Sequence, residues 1–178
     1  MAVPTPEERF RELILPHLNS AFNLACWLTR NRPDAQDLVQ EAMMRAFRFF
    51  SGFRGGDGRV WLLRIVRNTF YSWCREHGMR PKTAFDEALH SVDGVDGAQP
   101  DHVHESPEAL LMHKDCDRMV HEALAALPLE FREVVVLREL EELSYKEIAA
   151  IVDIPIGTVM SRLGRGRKLL AHRLGGSA

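Results

Sequence analysis

Residues 144–168 read SYKEIAAIVDIPIGTVMSRLGRGRK, and the reading of this stretch decides the fold. Ser144 followed three positions later by Glu147 is a capping box, in which each residue satisfies a free amide of the other. It predicts a short helix over Ser144–Val152 with Ile148, Ala149 and Val152 facing inward, the small Ala149 admitting a neighbouring helix closely. Pro155 restricts the residue before it and breaks that helix, and Gly157-Thr158 opens a second helix that runs to about Arg173. At about 100° per residue, Val159, Leu163, Gly166 and Leu170 share one face of the second helix, which packs on the first. Thr158, Ser161, Arg162, Arg165, Lys168 and His172 lie on the other side, with no carboxylate among them to oppose phosphates. A short helix, a tight turn and a basic helix form a helix-turn-helix, whose second helix suits the DNA major groove. An arginine-rich helix alone is usually a solvated surface, and the preceding turn is what favours DNA. Thr158, Ser161, Arg162 and Arg165 sit where base edges are reached, while Lys168 and Arg173 suit phosphates. Arg167 points nearer the packed side, where a surface ion pair is an equal alternative.

Upstream, the pattern is again helical, over Glu7 to about Thr29, Pro33–Phe50 and Arg59 to about His77. In the second of these, Leu38, Val39, Ala42, Met43, Ala46, Phe47 and Phe50 form a broad core stripe. Its opposite face, with Asp37, Gln40, Glu41, Met44 and Arg45, reads on composition as solvent surface and more sharply as a docking face. The third segment places Leu62, Ile65, Val66, Thr69, Phe70 and Trp73 on one side and Arg64, Arg67, Asn68, Tyr71 and Arg75 on the other. Arginines interleaved with an aromatic and an amide suit opened or single-stranded nucleic acid, where bases stack and phosphates pair. The preceding stretch, Ser51–Gly58, is a glycine-rich loop able to wrap closely round a ligand, without the lysine and strand of a nucleotide-binding loop. Trp61 reads first as a core anchor.

Charge is distributed in blocks that the net value of −2 conceals. Arg54–Lys82 holds seven basic residues against Asp57 and Glu76, and the chain from Ile154 onward holds five basic residues and no acid. Residues 83–130 hold eleven acidic residues and only Lys114 and Arg118 as bases. Within that block, residues 83–105 lack sustained periodicity and contain Gly94, Gly97 and Pro100, the composition of a flexible linker. Ser106-Pro107 marks the helix start beyond it. The expected architecture is therefore all-α: two small helical domains, residues 1–82 and 106–178, joined by an acidic linker over 83–105, the second containing the helix-turn-helix. No apolar run reaches membrane-spanning length and the N-terminus lacks a signal pattern, so a cytoplasmic protein without membrane insertion is expected. Cys26, Cys74 and Cys116 are widely spaced and suggest neither a disulfide framework nor a zinc site.

With these residues in view, the chain resembles an extracytoplasmic-function sigma factor of the sigma-70 family. DAQDLVQEAMMRAF at 34–47 resembles the helix by which the family grips RNA polymerase, and VWLLRIVRN at 60–68 resembles the helix that melts and reads the downstream promoter element. LPLEFREVVVLR at 127–138, LSYKEIA at 143–149 and IPIGTVMSRLGRGR at 154–167 resemble its upstream-element reader. The resemblance implies contacts to core polymerase from Asp37, Gln40, Glu41, Met44 and Arg45. It implies downstream-element contacts from Phe53, Arg54, Gly55, Gly56 and Asp57 in the loop, with a flipped base in a loop pocket, and from Arg64, Arg67, Asn68, Tyr71 and Arg75. It implies upstream-element contacts from Thr158, Ser161, Arg162, Arg165, Lys168, His172 and Arg173. Core polymerase, promoter DNA and an anti-sigma factor are the implied partners, of a chain that is monomeric when free. The linker's 23 residues reach about 76 Å when extended at roughly 3.3 Å each, enough to separate two promoter contacts; its acidity suggests a path through a positively charged polymerase channel. Glu142 and Asp153 depart from the family pattern, standing where glycine is usual, and Asp153 is expected to meet a left-handed backbone.

No nucleophile and base pair, paired-carboxylate arrangement or cofactor motif suggests an enzyme, and no metal or cofactor is expected. Two other classes remain open on the residues alone. A one-component regulator would bind an operator through the same helix-turn-helix without polymerase. A redox or metal sensor would use His102, His104, His113 and Cys116, whose spacing matches no zinc pattern.

Overall fold

Three helices in the first half start where a side chain satisfies the amides that a helix N-terminus leaves free. A computed structural model describes residues 4–78 and 117–175. Thr5 and Glu8 form a capping box at the start of α1 (Pro6–Leu13). Asn31 accepts from the Asp34 amide at 3.0 Å and starts α3 (Arg32–Phe49), and Asp57 accepts from the amides of Arg59 and Val60 to start α4 (Gly58–Glu76). The single helix expected from Glu7 to Thr29 is two. A 3₁₀ turn at Leu15–His17, around Pro16, separates α1 from α2 (Leu18–Thr29), because proline donates no hydrogen bond and its ring collides with the preceding turn.

Helices α2, α3 and α4 pack on one another through Leu24, Leu28, Leu38, Ala42, Leu62 and Val66, all buried, and α1 closes over one end. Phe10 meets the rings of Phe47 and Phe50 edge to face, each at 5.2 Å. Phe47, expected in the core stripe, is 54% exposed: Phe10 covers part of it and solvent the remainder.

The second half comprises α5, described over 117–125, α6 (Leu129–Val135), α7 (Tyr145–Val152) and α8 (Ile156–Gly175). Wider π-helical turns over Val136–Leu140 continue α6. All but one of the residues of α6 are buried, including Arg132 and Glu133, so it is a central helix with neighbours all round. Helix α8 crosses it at Gly166, where a Cβ would lie 2.7 Å from Val135 Cγ2, so only glycine permits this approach. The expected capping box at Ser144 and Glu147 forms, and the helix-turn-helix face closes with Ile148, Val152, Val159 and Leu163 buried. Ile151, not expected inside, joins them. In the turn, the amides of Thr158 and Val159 donate to the Pro155 carbonyl and start α8 one residue earlier than expected.

The halves do not stand apart. α2 and α4 pack against α6, the π-helical segment and α7, and the buried residues of both halves join in one cluster. The expected linker over 83–105, the helix start at Ser106-Pro107, Cys116 and His102, His104 and His113 lie outside the described residues. Among those described, no helix is long and apolar enough to cross a membrane.

Glu142 and Asp153 both adopt the left-handed conformation, at φ 54° and 59°. A left-handed residue with a Cβ is strained where glycine is not, and Asp tolerates the region better than Glu. Glu142→Gly is therefore expected to stabilise the fold by about 0.5–1 kcal/mol, the released strain exceeding glycine's entropy cost. Thermal unfolding checks this: a melting temperature raised by roughly 2–4 °C for Glu142→Gly and not for Glu142→Ala is the expected result.

Candidate nucleic-acid interface

Helix α4 has three faces rather than two. Leu62, Leu63, Val66, Phe70 and Cys74 are buried, while Arg64, Asn68 and Arg75 are exposed. Arg67 and Tyr71, one turn apart, lie on a third face under α6. Sequence periodicity grouped these two with the exposed set, because it separates apolar from polar positions and carries no information on what packs over the polar side. The loop before α4 divides likewise. Arg54, Gly55 and Gly56 are exposed, and both glycines take positive φ with open space where a Cβ would be. Phe53, expected to face nucleic acid, is 7% exposed and stacks on Phe50 at 5.7 Å, with Trp61 at 5.1 Å. It anchors the loop from below, and Trp61 is part of that anchor. Asp57 spends its carboxylate on capping α4.

Two carboxylates from the second half hold α4 and α2. Glu133 on α6 has a side chain 1% exposed. Its Oε2 accepts from Arg67 Nε at 2.8 Å and from the Tyr71 hydroxyl at 3.2 Å, and its Oε1 accepts from Arg67 Nη2 at 3.2 Å. Arg162 Nη1, from α8, stands 3.6 Å from the same carboxylate. The Arg67 guanidinium also lies over the Tyr71 ring, 4.4 Å from its centre. Burial opposes charge on Arg67, but the Glu133 hydrogen bond and charge prevail and raise its pKa. Burial, reinforced by the Glu133 charge, pushes the Tyr71 phenol well above its ordinary value, so it remains a hydroxyl donor. At the other end of the seam, Glu141 accepts from Asn23 Nδ2 at 3.0 Å and pairs with Arg59, which also donates to the Glu141 carbonyl at 2.8 Å. Trp27 closes the same seam against His121, ring centres 4.3 Å apart.

On α8, Ser161, Arg165, Lys168, His172 and Arg173 are exposed and Thr158 is half-buried. Arg162 differs from its expected place: it is turned toward α6, with Glu130 at 3.9 Å in addition to Glu133. Arg167 pairs with Glu139 at 2.6 Å, the surface ion pair that its position allowed. On α3, Asp37, Gln40 and Met44 are exposed, with Glu41 and Arg45 joined as an ion pair one turn apart. Cys26 and Cys74 are free thiols whose pKa burial raises, which disfavours the reactive thiolate. No group of metal-binding side chains occurs among the described residues.

Sequence reasoning missed Glu133, Glu141, Arg59 and Asn23. One signal was available: Glu133 is a charge enclosed in an apolar run, FREVVVL at 131–137, and such a charge is paired when buried.

Comparison with known proteins agrees with this arrangement. Residues 13–80 match the sigma-70 region 2 family and residues 117–170 the sigma-70 region 4 family. The ECF RNA polymerase sigma-E factor of Escherichia coli is 35% identical over 142 residues, covering 79% of this chain and 74% of the relative. The ECF RNA polymerase sigma factor SigE of Mycolicibacterium smegmatis is 36% identical over 163 residues, covering 92% of this chain and 60% of that one. Among solved structures, the sigma factor RpoE in complex with the anti-sigma factor NepR from Bartonella quintana superposes with a TM-score of 0.72 at 26% identity, covering 95% of this chain and 98% of that one. CnrH, solved with the cytosolic domain of CnrY, shares the fold at a TM-score of 0.62 and 21% identity, covering 97% and 91%.

Two arginines of the second half separate structural from surface roles. Arg132 donates to the carbonyls of Ala125 and Leu127, closing the end of α5, and burial together with Arg30 pulls its pKa down to about 10. Arg132→Leu leaves two buried carbonyls without donors and is expected to cost about 2–4 kcal/mol. Arg167→Ala removes a half-exposed ion pair and is expected to cost less than about 1 kcal/mol. Urea unfolding of both variants checks the contrast.

Proposed function

Since the chain belongs to the extracytoplasmic-function sigma factors of RNA polymerase, we propose that it binds core polymerase and directs initiation at promoters with two elements, one for each half. The observation that carries this is one chain with two distinct exposed basic faces. A basic helix α8 follows a helix-turn-helix, and the exposed Arg64, Asn68 and Arg75 of α4 rise beside a glycine loop. Arg165, Lys168, Thr158, Ser161, His172 and Arg173 would meet the upstream element, the first of them reading bases in the major groove. Arg54, Gly55 and Gly56 with Arg64, Asn68 and Arg75 would hold the opened downstream element, joined by Arg67 and Tyr71 when the halves separate, and Arg162 belongs with the upstream set. The exposed face of α3, at Asp37, Gln40 and Met44 with Glu41 and Arg45, would dock on polymerase. As a specificity subunit it selects where synthesis begins and leaves the chemistry to the polymerase, in the cytoplasm. An anti-sigma factor that covers these faces, as NepR partners the RpoE relative, completes the proposal. The one-component regulator gives way to this reading, because the family match extends over both halves.

Transcription from a genomic fragment library with added core polymerase tests the proposal. Distinct start sites that require both the chain and core are expected, and failure to associate with core would overturn it. In that assay Arg165→Ala should lower transcription from promoters that depend on the upstream element by about tenfold, a base contact being worth roughly 1–3 kcal/mol, while core binding is unchanged. Equal loss of core binding would remove Arg165 from the DNA-reading set.

A further inference from the structure

One row of α8 is apolar beside an exposed surface that is otherwise polar or basic. Ile156 and Met160, neighbours one turn apart near the start of the helix, are 46% and 55% exposed. At about 100° per residue, Met160 falls between the buried Leu163 and the exposed Ser161 and Lys168, at the border of the polar face. Gly157 and Gly164, three residues before it and four after, lie within about 60° of it round the helix. Both are exposed, with open space where a Cβ would be, so neither carries a side chain to cover Met160. Gly166 is held as glycine by its approach to Val135, whereas nothing in the folded chain stands close enough to require glycine at 164. A glycine inside a helix weakens it relative to alanine, and one use of such a position is to let a ligand approach the backbone closely.

We propose that Met160, with Ile156 beside it, is a specificity-determining residue of α8 that packs against the C5 methyl of a thymine in the upstream element. The inference rests on the upstream-element role given to α8 above and adds to it a base read without hydrogen bonds. Side chains on a helix lean toward its N-terminus, so Met160 covers the first turn of α8, the part of such a helix that reaches base edges. The surrounding chain selects nucleic acid over an apolar protein surface, since five basic residues and no acid follow Ile154. In the major groove the base pairs are told apart by hydrogen-bond donors, acceptors and one apolar group, the thymine methyl. Methionine brings no donor and only a weak acceptor, so that methyl is the group by which it discriminates.

The test uses the full chain with core polymerase and a promoter from the genomic library whose upstream element has been randomised. Sequencing of the transcribed templates is expected to show a position at which thymine is preferred about fourfold, the effect of burying one methyl group. Met160→Ala is expected to abolish that preference and to keep those at other positions. Single templates then isolate the methyl, because replacing the thymine by uracil removes it and leaves every hydrogen-bonding group in place. The parent should transcribe the uracil template about fourfold less well, and Met160→Ala should transcribe both templates equally. An unchanged melting temperature accompanies this result, since Met160 is more than half exposed. The proposal is overturned if the parent shows no thymine preference that Met160→Ala removes, or if uracil serves the parent as well as thymine. Loss of preference at all positions together would also overturn it, as the mark of a displaced helix rather than of one lost contact. Absence of transcription by the parent chain with core would count against the proposed function, whereas transcription with an unaltered profile for Met160→Ala would count against this inference alone.

Discussion

A carboxylate inside a protein must be paired, and the arrangement of both halves follows from how Glu133 is paired. Its side chain is 1% exposed in the middle of the central helix α6. An uncompensated charge at that depth costs several kcal/mol. Its partners come from two directions, Arg67 and Tyr71 from α4 and Arg162 from α8. The same group therefore positions the recognition helix within its own half and joins that half to the other. Apolar contact supplies most of the attraction across the seam, through the continuous buried cluster. Apolar contact is non-directional, and the two carboxylates at its ends fix how the halves are set against each other.

The π-helical turns after α6 serve the second of these ends. Widening the helix over Val136–Leu140 sends Glu139 toward α8, where it meets Arg167, and Glu141 toward α2 and α4, where it meets Asn23 and Arg59. Glu142 then turns the chain in a left-handed conformation into the capping box of α7. A short stretch with unusual backbone thus sets the seam and the entry to the helix-turn-helix together, and it carries strain that glycine would relieve.

The candidate DNA-facing groups fall into two classes under this arrangement. Arg64, Asn68 and Arg75 on α4 and Arg165 and Lys168 on α8 are exposed whatever the relation of the halves. Arg67 and Tyr71 are committed to Glu133 across the seam, and Arg162 to the same carboxylate within its own half.

Local signals decided the helices. The capping box at Ser144 and Glu147, the break at Pro155 and the apolar spacing of Val159, Leu163 and Gly166 are read from neighbours a few residues apart, and each appears as expected. The left-handed turn at Asp153 was legible for the same reason, since a residue in glycine's place is a local conflict. The break at Pro16 was equally local and was passed over within a long apolar pattern. What surrounds a polar side chain is not local. Periodicity placed Arg67, Tyr71 and Arg162 on polar faces and Phe47 in the core, and the family resemblance put Phe53 toward nucleic acid, whereas Phe47 is exposed and Phe53 buried. Glu133 lies 66 residues from Arg67 along the chain, and no spacing rule reaches that far. The sequence therefore determined the helices of both halves and the polar side chains that are candidates for nucleic acid. Only the tertiary structure decided which of them remain exposed, because a buried charge takes its partner from whichever surface folding brings beside it.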